Sequence, residues 1–181
     1  MNIRHFRFVP ITLMLLLTQP LMVACATQPT AAPATAPSVA AQPAADPVRK
    51  AVYHADFADP RRFSAMLTNI NNMVTVYQKE LVDYDVRIVF VSHGIRFVTT
   101  DKLANTPFAE DAALRAQRET LILRLKGLRD VQGVKFELCD ITREAVRLPK
   151  EKLIPGVTLV RSGMVRLAEL QSQGFAYLKI E

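Results

Sequence analysis

Three side chains of this 181-residue chain have the types and positions that could do chemistry: Cys139, His93 and His54. Cys139 ends the apolar run Val134-Lys135-Phe136-Glu137-Leu138-Cys139, His93 stands in Val91-Ser92-His93-Gly94, and His54 closes Lys50-Ala51-Val52-Tyr53-His54. A cysteine with imidazoles near it can act as a nucleophile or a sulfur carrier. Either task uses the thiolate, which a helix N-terminus or an imidazolium stabilises. A helix beginning at Asp140-Ile141-Thr142 would supply the first of these. The Asp140 carboxylate works the other way, because it disfavours a second negative charge beside it. The competing reading of Cys139 is a small buried hydrophobe ending a strand. His93 has its own alternative as a strand cap before a glycine turn, and His54 as a histidine bonded to backbone. The three together could ligate a metal, but no short paired-ligand spacing supports this, so no metal is expected. Asp56 and Asp59 read as loop and helix-start acids that favour the helix dipole. Ser162-Gly163 reads as an N-cap, or as a small anion cradle of backbone N–H groups.

The elements that must position these residues follow from periodicity. Lys50 to His54 reads as a short buried strand. Phe63, Met66, Leu67, Ile70, Met73, Val74 and Tyr77 recur at spacings of three and four, one face of an amphipathic helix. Val86 to Val91 is a second strand, stopped by Ser92-His93-Gly94. Leu114, Leu121, Leu125 and Leu128 mark a second helix ending near Gly133, and Val134 to Cys139 a third strand. Val157 to Val160 is a fourth strand after the turn signal Pro155-Gly156. Ser162 caps a helix carrying Val165 and Ala168, with Gly174 just past it, and Phe175 to Ile180 is a fifth strand. Ile95 to Phe108 fits a short strand or helix followed by loop. Strands alternating with helices imply an α/β fold with a parallel sheet covered on both faces. In such a sheet all strand C-termini lie on one edge, and ligands bind just outside it. Position alone therefore puts His54, His93 and Cys139 along one rim.

The first 47 residues are unlike the rest. Arg4 and Arg7 precede an apolar run from Phe8 to Leu17, and Leu21-Met22-Val23-Ala24-Cys25-Ala26 follows. This is the pattern of a signal peptide over 1–25. The run falls short of the ~20 residues that span a bilayer. Two cleavage modes remain open. Ala24-Cys25-Ala26 fits cutting after Ala26, whereas Leu21 to Cys25 resembles a lipobox with lipid on the Cys25 sulfur. Residues 26–47 are an Ala/Pro-rich tether with no apolar face. At ~3.1 Å per residue such a segment reaches up to ~65 Å. The expected domain is 48–181, in the periplasm, anchored to the outer membrane if Cys25 carries lipid. The formal charge is +6, with basic residues dispersed among acids rather than gathered in a stripe, which argues against nucleic-acid binding. There is no G-x-G-x-x-G, Walker loop, H-E-x-x-H or G-x-S-x-G, and nothing calls for a cofactor.

Tyr53-His54, Val91-Ser92-His93-Gly94 and Cys139, each at a strand end, resemble the DsrE/DsrF-like family. The more specific part is Leu153-Ile154-Pro155-Gly156-Val157, then Ser162-Gly163, then Leu170-Gln171-Ser172-Gln173-Gly174-Phe175-Ala176-Tyr177. The resemblance covers residues 50–181. It implies a three-layer α/β/α domain with a five-stranded parallel sheet, assembled as trimers or hexamers. It also implies sulfur trafficking, with a persulfide carried on Cys139 and handed to a partner, and with His93 and His54 in support. Asp140 departs from the glycine often found after the family's cysteine, and the leader departs from its cytoplasmic relatives. The reading is thus an envelope sulfur carrier using Cys139, more a carrier than an enzyme with turnover. The alternative is an oligomeric ligand-binding or scaffold module in which Cys139 is packing.

Overall fold

The computed structural model describes residues 47–181. The expected leader, the lipidation site Cys25 and all but the last residue of the tether lie outside the described residues. The first strand, β1 (Arg49–Ala55), leads into α1 (Pro60–Lys79). Asp59 caps that helix by accepting the Arg61 N–H at 2.8 Å, and Pro60 opens it, where a missing N–H costs nothing. There follow β2 (Tyr84–Phe90), a 3-10 helix (Ser92–Phe97), and α2 (Ala112–Asp130), which is capped by Asp111. Next come β3 (Lys135–Cys139) and α3 (Asp140–Ala145). The last elements are β4 (Val157–Val160), α4 (Gly163–Ser172) and β5 (Ala176–Leu178).

These five strands pair in parallel throughout, in the order β4-β3-β2-β1-β5. The order dictates the layers. Parallel crossovers are right-handed, so three successive steps in one direction put their helices on one face. The step from β4 to β5 travels back across the sheet, so α4 lies on the other face. The two cores are accordingly unequal. Among the described residues the α1/α2 side gathers 25 buried apolar side chains, including Phe63, Phe90, Phe136 and Leu125. The α4 side gathers five: Val52, Val89, Leu167, Leu170 and Phe175.

Where apolar cover is thin, the α4 face of the sheet carries charge. Glu137, 5% exposed in the middle of β3, accepts from Arg87 Nη1 at 2.7 Å and from Arg166 Nε at 2.7 Å and Nη2 at 3.0 Å. Arg87 also binds Asp85 and lies over the Phe175 ring, 5.1 Å from its centroid. Burial alone would raise the Glu137 carboxyl. The Arg166 and Arg87 guanidiniums outweigh that and hold it below the usual carboxylate range. This network ties α4 to β2 and β3.

Of the ambiguous segment, Ile95 to Phe97 close a 3-10 helix and the remainder is loop, and β2 ends at Phe90 rather than Val91. The strand stops because Val91 N–H donates to the Ala55 carbonyl at 2.9 Å and Ser92 then turns with φ +52°. The chain beyond Ser92 presses onto the end of β1. A Cβ at Gly94 would stand 2.0 Å from the Ala55 carbonyl oxygen. Only glycine fits.

Candidate functional site

Cys139 is a free thiol, 4% exposed, at the end of β3. Its backbone occupies the N-cap position of α3, so the helix expected at Asp140 does begin there. The Asp140 carboxylate is not a bare opposing charge. Arg143, one turn on, donates to it through Nε and also binds the Leu148 carbonyl at 2.9 Å. Sequence reasoning saw the acid beside the thiol and missed its counter-ion; the i, i+3 spacing on a helix was the available signal. Thr142 accepts the Ser92 N–H at 3.1 Å, joining α3 to the end of β2.

The N-terminus of α4 covers Cys139 from the other side. A Cβ at Gly163 would lie 2.5 Å from Val91 Cγ2 and 3.1 Å from Cys139 Cβ, so the absent side chain lets the helix come this close. Ser162 caps the helix, its hydroxyl accepting the Val165 N–H at 3.4 Å. Cys139 pairs in register with Val160 of β4. The connection from β3 and that from β4 leave toward opposite faces, the kind of crevice in which α/β proteins hold ligands. A cavity of about 520 Å³ opens there, lined by Asp140, Ile141, Glu144, Leu159, Val160 and Arg161.

The two histidines reach the same edge but not the same site. His54 lies level with Val89, and Val89 with Glu137, so Cys139 stands two residues further along and two strands across. At ~3.3 Å per residue and ~4.8 Å per strand the two Cα atoms are about 12 Å apart. His93, in the 3-10 helix, meets the Phe108 ring edge-on at 5.0 Å and lies 3.4 Å from the Ser92 hydroxyl through Nδ1. His54 Nδ1 lies 2.9 Å from the Tyr177 hydroxyl. Among the described residues no hydrogen bond joins any two of His54, His93 and Cys139, and no three His, Cys, Asp or Glu side chains are grouped as a metal site requires.

Residues 52–180 match the DsrE/DsrF-like family. The chain belongs to that family. A curated relative, an "Uncharacterized protein" of Aquifex aeolicus (strain VF5), is 29% identical over 129 residues, which is 71% of this chain and 55% of that protein. The chain thus spans about half the length of that relative. Among solved structures, the "Protein of Unknown Function MTH1491" from Methanobacterium thermoautotrophicum superposes with a TM-score of 0.53 at 23% identity, over 72% of this chain and 98% of that one. That likeness is one of fold, and it agrees with the DsrE-like α/β sheet described above. The ychN protein from E. coli gives a TM-score of 0.47 at 18% identity, over 74% and 100% of the two chains.

Proposed function

We propose that this protein handles sulfur in the cell envelope, carrying sulfane sulfur as a persulfide on Cys139. The observation that carries the reading is the setting of that thiol. It ends a central strand beside the N-terminus of α4, at the crevice where the β3 and β4 connections diverge. Backbone N–H groups of a helix N-terminus favour an anion, here a thiolate or the persulfide anion. Arg143 offsets the neighbouring Asp140 charge, and Arg161 adds a cationic wall to the adjoining cavity. Membership of a family often associated with sulfur relay supports the same chemistry. His93 and His54 act at a distance, on the rim rather than on the sulfur.

The step balances without an outside oxidant. The Cys139 thiolate attacks the sulfane sulfur of thiosulfate or a polysulfide. A new S–S bond forms, the old one breaks, and sulfite or the shortened polysulfide leaves with the electron pair. Transfer to an acceptor thiolate repeats the exchange. The partners are a sulfur donor, an acceptor protein and further copies of the chain, as a trimer or hexamer. Arg4, Arg7, the apolar run and Cys25 support export to the periplasm and lipid anchoring at the outer membrane.

Protein carrying Cys25→Ser, treated with polysulfide or thiosulfate, is expected to gain the mass of one sulfur atom on Cys139, removable by reductant, and the same protein with Cys139→Ser to gain none. An unmodified Cys25→Ser protein, or an equal gain once Cys139→Ser is added, would overturn the proposal. One observation favours the scaffold reading, in which Cys139 is packing: its 4% exposure. Native-state labelling separates the two. A carrier thiol reacts with N-ethylmaleimide in the folded protein, and a packing thiol reacts only after denaturation.

A further inference from the structure

The order of the sheet has a second consequence, along the flank of α4 that faces β1 and β5. β5 arrives by the crossover that reverses the strand order and pairs with β1. That pairing sets His54 of β1 beside Tyr177 of β5, residues 123 positions apart in sequence. His54 is 6% exposed, with Nδ1 2.9 Å from the Tyr177 hydroxyl. Its Nε2 is buried without a hydrogen-bond partner and faces the Asp56 carboxylate at 3.9 Å. Asp56 in turn is held by Lys179 at 2.9 Å. Tyr177 is 39% exposed, at a groove of about 530 Å³ whose apolar wall is Met164, Leu167 and Ala168 of α4. A pocket of this size, apolar with a few converging polar groups, is of the kind that holds small molecules.

We propose that Asp56, His54 and Tyr177 form a second site, independent of the thiol, in which Tyr177 is a nucleophile for small esters with short apolar acyl groups. The arrangement has the parts such a site needs: a nucleophile within hydrogen-bond distance of a base, and a carboxylate behind the base. The ring is used in the reverse sense to a serine protease triad, with Nδ1 toward the nucleophile and Nε2–H toward the acid. Desolvation lowers the proton affinity of His54; Asp56 opposes this and Lys179 adds to it. The imidazole is therefore neutral near pH 7 and free to accept a proton. Asp56, Lys179 and Tyr177 are the titratable groups facing it, since α4 contributes only Met164, Leu167, Ala168 and Gln171 to this groove.

In the step, Tyr177 Oη bonds to the acyl carbon and its proton passes to His54 Nδ1. The tetrahedral intermediate then collapses, the acyl–oxygen bond to the alcohol breaks, and the departing oxygen takes the proton from His54. Gln171 Nε2 spends one hydrogen on the Leu167 carbonyl at 3.3 Å and has a second for the developing oxyanion.

The test uses full-length protein and p-nitrophenyl acetate. The expected result is a p-nitrophenolate burst of one equivalent, with one acetyl group mapped by peptide mass spectrometry to Tyr177. Cys139→Ser keeps the burst, which separates this site from thiol acylation, and Tyr177→Phe loses it. His54→Gln slows it roughly a hundredfold. Should that variant fail to fold, Asp56→Asn, an isosteric change on a partly buried side chain, is expected to slow the burst without changing the circular dichroism. No burst from the wild type, an acetyl group on Cys139 or lysine instead, or an undiminished burst from Tyr177→Phe would each overturn the proposal.

Discussion

Gly94→Ala is expected to leave the domain unfolded or nearly so, losing at least about 4 kcal/mol. The new Cβ would sit 2.0 Å from the Ala55 carbonyl oxygen, 3.0 Å from its carbon and 3.4 Å from Phe90 Cβ. Neither side can give way cheaply. Ala55 closes β1, and its carbonyl accepts the Val91 N–H at 2.9 Å. Gly94 lies within the 3-10 helix that carries Ile95 and Phe97 into the larger core, where Phe97 stacks on Phe63 at 4.0 Å. Gly127→Ala is the contrasting case. It lies inside α2 with nothing within 4 Å of the added carbon, so it should stabilise by roughly 0.5–1 kcal/mol. Urea midpoints of the two variants against wild type decide the matter. A Gly94→Ala protein within about 1 kcal/mol of wild type would show that the segment after β2 is not seated as described.

Glu137→Ala is the second large effect, with an expected loss of about 3 kcal/mol. The substitution removes the carboxylate shared by Arg87 and Arg166 and leaves two guanidiniums facing each other on the thinly covered side of the sheet. Arg87 keeps Asp85 and Arg166 keeps Glu169, which holds the figure toward the lower end of the range for broken buried pairs. The same group shapes the acid limb of stability. Glu137 and Asp85 both titrate below the ordinary carboxylate range despite burial, because of their arginine and lysine partners. A carboxylate with a depressed folded value contributes stability that is complete above its unfolded value, near pH 4, and is lost as pH falls through the folded one. The wild type should therefore lose stability steeply below about pH 4, and Glu137→Gln should show a shallower fall. Parallel acid limbs for the two proteins would contradict this.

Much of the fold was legible because periodicity reports the main faces directly. The helix reading from Phe63 to Tyr77 lies inside α1, and the leucines at 114, 121, 125 and 128 are the buried face of α2. The fifth strand is shorter than its apolar pattern suggests. Phe175 leaves the ladder and packs into the α4-side cluster, where Lys50 and Arg87 lie over its ring. The 3-10 helix was not legible, since Ile95 and Phe97, with Val98 just past its end, carry neither a period of two nor one of 3.6. At the site, the end-of-strand positions of His54 and Cys139 could be read, and their separation could not. Separation depends on strand order and register, which no local pattern encodes. The same is true of Tyr177, whose closeness to His54 exists only because β5 pairs with β1. Glu137 was visible as an acid within an apolar run, but its partners Arg87 and Arg166 come from two other elements.

The carrier role of Cys139 is tested most directly on the protein as the cell makes it. Mass spectrometry of the intact chain and its peptides, purified from the envelope of cells supplied with thiosulfate, reads the Cys139 peptide and the mature N-terminus together. The account predicts one additional sulfur atom on Cys139 that reductant removes, on a chain whose first residue is a lipidated Cys25. A Cys139 peptide that carries no reductant-labile sulfur, in protein recovered from such cells, would contradict it.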